Sequence, residues 1–217
     1  MSQRIHICAI GSFGAQIAAF LKLFIPSLAR TDSIDANSDL KNISPNARVQ
    51  IVAIAVPELS ECVSISRQFY DRPSIFIPVV LHSHTISVGP IKGQGQKGGA
   101  CWLCAERRRK QHSRVHREEQ MIFCGPTTGS SNGLHISSDL LLLVASGIFH
   151  LTYATLLRYA PSGFCWQMNL MSREVIGFQV EGIHQCNLCG VGRSGCNIST
   201  RELHNHFSYL YGKDKDA

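Results

Sequence analysis

Two cysteine pairs, Cys101-Trp102-Leu103-Cys104 and Cys186-Asn187-Leu188-Cys189, carry the most specific chemistry in this 217-residue chain. The C-x-x-C spacer places both sulfurs of a pair on one tight turn, and two such turns supply the four soft ligands of a closed tetrahedral zinc site. A saturated four-thiolate site has no open position for water, so its metal is expected to hold the fold and not to do chemistry. Four unrelated buried thiols or two disulfides are the alternative readings. Met1 leads into an apolar strand pattern with no charged leader or small-residue cleavage site. A cytoplasmic setting is therefore expected, where disulfides are rare and paired C-x-x-C turns read as zinc. His184 and Cys196 compete for places in the site. The longer spacer after Cys189 and the strand-like offset of His184 from Cys186 favour Cys101, Cys104, Cys186 and Cys189 as the ligands.

A second candidate site lies near the start of the chain. Arg4 to Ile10 reads as a strand, Gly11-Ser12-Phe13-Gly14 as a turn, and Ala15 to Leu28 as a helix with Ile17, Phe20, Leu21 and Phe24 on one face. Strand, glycine turn and helix open a dinucleotide-binding βαβ unit, and the helix N-terminus can receive an anion. G-x-x-G lacks the closely spaced glycines that let a pyrophosphate approach the backbone, so Gly11 and Gly14 read first as turn and packing residues. Asp32 and Asp35 follow where a ribose-binding carboxylate would stand in a complete site. Gly11, Gly14 and Asp35 are thus weak nucleotide candidates.

The elements that must position these residues follow from composition and periodicity. With 44% apolar residues the chain can bury a sizeable core. Arg30 to Asn46 is polar and reads as a loop with at most a short strand. Val49 to Val56 and Ser74 to Leu81 are continuous apolar runs of the buried parallel-strand kind, joined by a helix that begins at Pro57-Glu58. His82, His84, Ile86 and Val88 alternate with polar residues, which predicts that the second of these strands continues half-exposed; the His-x-His pair reads as part of a strand face. Gly89 to Gly99 reads as a surface loop leading into the first cysteine turn, and Ala105 to Glu119 as a helix. Leu140 to Ala160 approaches membrane-span length, but Ser146, Gly147, His150, Thr152 and Arg158 interrupt it and favour a buried core helix. Cys165 to Val180 alternates in two halves around Ser172-Arg173-Glu174, as a hairpin does.

The net charge of +6 collects in one run, Arg107, Arg108, Arg109, Lys110, Arg114 and Arg117. A solvated helix face is the first reading and an acidic peptide partner the second. No aromatic residues interleave the run, so a nucleic-acid surface is not expected.

Taken together, the glycine turn, βαβ half, glycine loop, C-x-x-C, long apolar helix, hairpin and late C-x-x-C resemble the ThiF/MoeB superfamily, the ubiquitin-activating-type fold. Val88-Gly89-Pro90 and Gly99-Ala100-Cys101-Trp102-Leu103-Cys104-Ala105-Glu106-Arg107-Arg108 look most like the ThiF-like cyclodehydratase partners of thiazole/oxazole-modified microcin pathways. The resemblance implies an α/β fold: a Rossmann-like, mostly parallel sheet flanked by helices, a four-cysteine zinc knuckle and a C-terminal hairpin. It implies one domain over 1–217, with a Rossmann-like half (1–95), a zinc-clamped half (96–212) and a tail (213–217). In such systems a YcaO-type enzyme uses ATP to activate a peptide amide, and the ThiF-like partner presents the precursor peptide for azoline formation. Adenylating members carry a fuller glycine motif with Asp, Arg and Lys around ATP, which Gly11 to Lys41 does not supply. The implied role is therefore a non-adenylating subunit; an adenylyltransferase acting on a peptide or carrier-protein carboxylate is the alternative. Partners of this type often begin with a leader-binding winged-helix module, for which the strand at Arg4 leaves no room, so leader capture is expected on another surface or subunit. A flavin dehydrogenase is a further candidate member of the assembly, and a homodimer or pseudo-symmetric heteromer through the long apolar helix is expected. Adenylating members also place a catalytic cysteine between the first C-x-x-C and the long helix, where Cys124 stands. Ile122-Phe123-Cys124 reads instead as a short apolar run around an inert thiol.

Overall fold

Apolar runs set the centre of the sheet. β1 (Ile5–Ile10), β3 (Val49–Ala55) and β4 (Ile75–Leu81) are buried on both faces save for Ala55 at the end of β3, as strands enclosed by helices must be. Between and after them come α1 (Gly11–Phe24), β2 (Ala29–Ser33), α2 (Leu59–Tyr70), β5 (Thr85–Val88), α3 (Trp102–His112), α4 (Ser138–Leu156), β6 (Phe164–Asn169) and β7 (Val175–Gln179). This computed structural model describes residues 5–33, 47–70, 72–92, 99–112, 136–157, 159–183 and 186–189.

All seven strands form one sheet in the order β2-β1-β3-β4-β5-β6-β7. The β2-β1-β3-β4 block is parallel, and β5, β6 and β7 extend it with antiparallel pairings. The C-terminal hairpin therefore widens the Rossmann-like sheet and does not stand apart from it.

Side-chain alternation divides the core between two faces. Ile5, Ile7 and Ala9 with Val49, Ile51 and Ala53 pack under α1 and α4, where Phe24 and Phe149 meet with ring centroids 5.6 Å apart. Cys8, Ile10, Val52 and Ile54 face the other way, toward Cys62, Ile65 and Phe69 of α2 and Trp102 of α3. Phe69 stacks on Phe76 at 4.8 Å, and Phe76 meets Trp102 at 6.2 Å. A fully buried isoleucine such as Ile7, Ile51 or Ile77 contributes about 1.5–3 kcal/mol relative to exposure.

One buried polar group ties three strands together. His6 donates from Nδ1 to Gln50 Oε1 (3.0 Å), and the Thr31 hydroxyl donates to His6 Nε2 (2.8 Å). Both bonds suit a neutral imidazole, and burial lowers its pKa below the ordinary 6.5.

The fold corrects several readings of the sequence. β4 does not continue past Leu81: the chain turns at 82–84 and returns as β5, with Leu81 opposite Ile86. Helix α1 starts at Gly11, inside the glycine turn, and α4 ends at Leu156, ahead of Pro161. Gly89 to Lys92 is not surface loop. The Gly89–Pro90 peptide is cis, Ile91 is buried, and Lys92 pairs with Phe76 through backbone hydrogen bonds of 3.0 and 3.1 Å. The polar stretch after α1 does hold a short strand, β2, in register with β1 from His6 opposite Ala29.

Candidate metal centre and the ion-pair pocket beside it

The first cysteine pair is placed by α3. Cys101 precedes the helix, Cys104 sits in its first turn, and the Cys104 N–H donates to Cys101 O (3.0 Å), closing the turn that aims both sulfurs one way. The second pair sits on the turn after Ile183, at the end of the segment leaving β7. All four Sγ atoms lie within 4.8 Å of one another. Cys101 Sγ is 3.7 Å from both Cys104 Sγ and Cys186 Sγ, and Cys104 Sγ is 3.3 Å from Cys189 Sγ. Disulfide sulfurs stand about 2 Å apart, so none of these pairs is bonded. A tetrahedron of thiolates about 2.3 Å from a zinc ion has edges of about 3.8 Å, close to the longer of these separations.

Backbone donors already serve the sulfurs. The Cys101 N–H points to Cys189 Sγ at 3.3 Å and the Ile183 N–H to Cys104 Sγ at 3.4 Å, the outer support expected around metal thiolates. Proton sharing within the cluster points the same way. Hydrogen bonds from Cys101 and Cys189 lower the Cys104 pKa to about 2, while Cys101, donating to Cys104, is pushed upward. Cys189 is pulled down by Cys101, but its bond to Cys104 and burial outweigh this and carry it to about 12. With protons alone the cluster favours one thiolate; a dication would take the protons' place and let the others ionise. The residues present fit a metal ion, and three of the four are buried. Ala100, Leu103, Cys165, Val180 and Leu188 pack around them, with Leu59 and Val63 of α2 at the edge.

Beside this centre lies a group of residues that the sequence reading treated separately. Glu106, on α3 and 3% exposed, receives a hydrogen bond from Arg109 Nε to its Oε2 (3.0 Å), and its Oε1 stands 3.6 Å from His82 Nε2. Arg108 reaches from α3 to the chain beyond β7, donating to Glu181 O (3.1 Å) and Gly182 O (3.5 Å). The basic run is thus not simply a solvated face: Arg108 ties α3 to the approach of the second cysteine turn, and Arg109 pairs with Glu106 on the same helix. These residues line a cavity of about 400 Å3 between α3 and β5–β7, with Cys165 and Phe178 among its walls. A sequence signal existed, since Glu106 is an acid at the head of a basic run, but nothing in the sequence places His82 beside it.

The glycine turn is also resolved. A side chain on Gly14 would put its Cβ 2.6 Å from Ala53 O and 2.9 Å from Ala9 C, so Gly14 serves close packing of α1 on β1 and β3. Gly11 has φ +68° and open space beside it. Cys124, Asp35, Cys196, His184, Arg114 and Arg117 lie outside the described residues.

No protein-family model and no curated protein matches this sequence. Solved structures do share the fold. The heterocyclase TruD matches over 86% of this chain at 17% identity and a TM-score of 0.53. The E. coli microcin synthetase McbBCD complex with pro-MccB17 bound contains a chain matching 87% of this one at 10% identity, with a TM-score of 0.56 and 71% of that chain covered. E. coli MccB matches over 80% of this chain and 48% of its own, at 10% identity and a TM-score of 0.51. Against TruD the chain spans only 27% of the larger protein's length.

Proposed function

We propose that this chain is a non-adenylating, ThiF-like subunit of a peptide azoline cyclodehydratase complex, which docks a YcaO-type enzyme and helps position a ribosomal precursor peptide. The observation that carries this reading is the four-thiol centre that brings α3 together with the segment leaving β7, on a sheet whose first turn has Ala9 in place of the first glycine of a dinucleotide motif. Zinc is the ion assigned to Cys101, Cys104, Cys186 and Cys189, in a structural role: it would fix α3 against the β7 end. The likeness in fold to a heterocyclase and to a microcin synthetase bound to its pro-peptide supports the assignment to peptide heterocycle formation. No catalytic residue is assigned.

A second reading, an ATP-dependent adenylyltransferase, is favoured by the open space at Gly11. Ala9 speaks against it, standing where the first glycine of the full dinucleotide motif would be. Co-purification of the tagged, zinc-loaded chain should recover a YcaO-type protein, and ATP with magnesium should show no micromolar binding to the chain alone. Pyrophosphate exchange with any peptide would transfer the assignment to the second reading.

The long helix supplies the proposed symmetry. α4 buries Leu141, Val144, Ala145 and Ile148 but leaves Leu142, Leu143 and Tyr153 exposed, with Leu157 exposed just past its end, more apolar surface than one core contact uses. We assign this face to a homodimer or heteromer contact. Light scattering at high micromolar concentration should report more than one chain; a monodisperse monomer removes the claim.

A further inference from the structure

We infer that β7 is a pairing edge for a second copy of this chain: two β7 strands join antiparallel about a twofold axis at Gly177 and make one continuous sheet. This contact is separate from the α4 face and does not rest on the cyclodehydratase reading.

The strand itself names its partner. β7 is the last strand of the sheet and is exposed along its whole length, although Val175, Ile176 and Phe178 are apolar. No other described strand lies on its outer side. Free edges are ordinarily blunted by lysine, proline or a bulge. β7 has none of these: it reads Val-Ile-Gly-Phe-Gln, and its register with β6 is regular from Met168–Val175 to Phe164–Gln179. An uncharged, half-apolar edge calls for a strand of the same character, and a second β7 is one.

Its hydrogen-bonding groups are self-complementary. Asn169 N–H donates to Glu174 O and Val180 N–H to Gly163 O, both at 2.9 Å, so alternation turns the N–H and C=O groups of Val175, Gly177 and Gln179 outward. With the axis at Gly177, Val175 falls opposite the second copy's Gln179 and Gly177 opposite its own copy. Each outward donor then meets an outward acceptor. Between these bonded pairs Ile176 falls opposite Phe178, the closer kind of pair, in which apolar side chains touch. Phe178 is among the walls of the cavity between α3 and β5–β7, so the second copy's Ile176 comes to the rim of that cavity. At the axis Gly177 carries no side chain, and the Phe164 ring takes the space, 3.1 Å from where a Cβ would stand. A glycine within a strand suits close approach by another backbone.

The flanking charges select the direction. Continued past the strand ends, the same register sets Arg173 of one copy opposite Glu181 of the other at both ends, and Glu174 opposite Val180. Arg173 is open to such a partner: its side chain is 66% exposed, and Asp139, 3.4 Å away, is 62% exposed. An in-register parallel pair would instead set Arg173 beside Arg173 and Glu181 beside Glu181.

Cross-linking tests the register. Full-length, zinc-loaded Ile176→Cys and Phe178→Cys proteins are mixed and mildly oxidised. The Cα atoms of the closer antiparallel pair stand about 4.5 Å apart, within disulfide reach, so mass spectrometry should recover a 176–178 disulfide between chains. Val175→Cys mixed with Phe178→Cys is the control, since these thiols lie on opposite faces of the sheet and should not join. Light scattering at high micromolar concentration should report paired chains for the parent. Val175→Pro removes one outward N–H at the first residue of the strand, a position that accepts proline, and Ile176→Lys puts a charge into the apolar pair. Each should weaken association about tenfold or more, with zinc content and far-UV circular dichroism unchanged. A monomeric parent, absence of the 176–178 disulfide, or an equal yield in the control overturns the pairing. Association unchanged in both variants also overturns it and assigns the homodimer to the α4 face.

Discussion

Four sulfur atoms bear the central structural claim. If Cys101, Cys104, Cys186 and Cys189 hold one structural zinc, ion binding supplies folding free energy, and losing any ligand releases metal and destabilises the chain together. Cys101→Ser and Cys189→Ser should therefore lose zinc and become insoluble. Cys196→Ser and His184→Ala should keep one zinc per chain and melt near the parent; metal analysis of purified protein decides between the ligand sets. His6 yields a prediction of a different kind. Its folded pKa lies below the ordinary 6.5 because burial disfavours the charged ring, so the unfolded state takes up the proton first. Its stabilising contribution is complete above about pH 7 and declines as pH falls through 6.5 toward the folded value. Thermal melts of the zinc-loaded chain should drop between about pH 7 and 5, and His6→Asn should show a shallower drop from a lower starting point. Parallel curves for parent and variant would remove His6 as the source.

Elements place these residues, and at this scale the sequence was legible in proportion to how local each cause is. β1, β3 and β4 were readable because strands buried on both faces must be continuous apolar runs, α1 because one face repeats at helical spacing, and α4 because a long apolar run interrupted by polar residues suits a core helix. The cysteine pairs were readable because C-x-x-C geometry is closed within one turn. The reversal at 82–84 was not, since alternation looks the same whether a strand continues or doubles back, and only pairing with β6 distinguishes them. Nor was the Glu106–Arg109–His82 group, because nothing in the sequence places His82 beside Glu106. Helix α3 joins the group to the metal centre, and this coupling is testable. Glu106→Ala leaves Arg109 without its carboxylate and His82 beside an emptied space, and should cost about 2–4 kcal/mol by urea denaturation of the zinc-loaded chain, below the range for a fully buried pair because Arg109 is partly exposed. A cost under about 0.5 kcal/mol would mean that the group is not what anchors α3.

For the whole molecule, the sheet runs without a break from the glycine turn to the exposed hairpin, and the sulfur centre clamps the later part to the earlier. On this account Gly14 is taken up by packing, Ala9 stands where a full dinucleotide motif has its first glycine, and the working surface is the α4 face, which fits a chain that brings other components together. Mass spectrometry of the precursor peptide after incubation with ATP, magnesium and the YcaO-type enzyme, with and without this chain, tests that claim most directly. The account predicts loss of one water per ring only when both proteins are present, at a rate that rises with the amount of this chain until it saturates the enzyme. Peptide adenylation by this chain alone, or the same dehydration by the enzyme without it, would contradict the account.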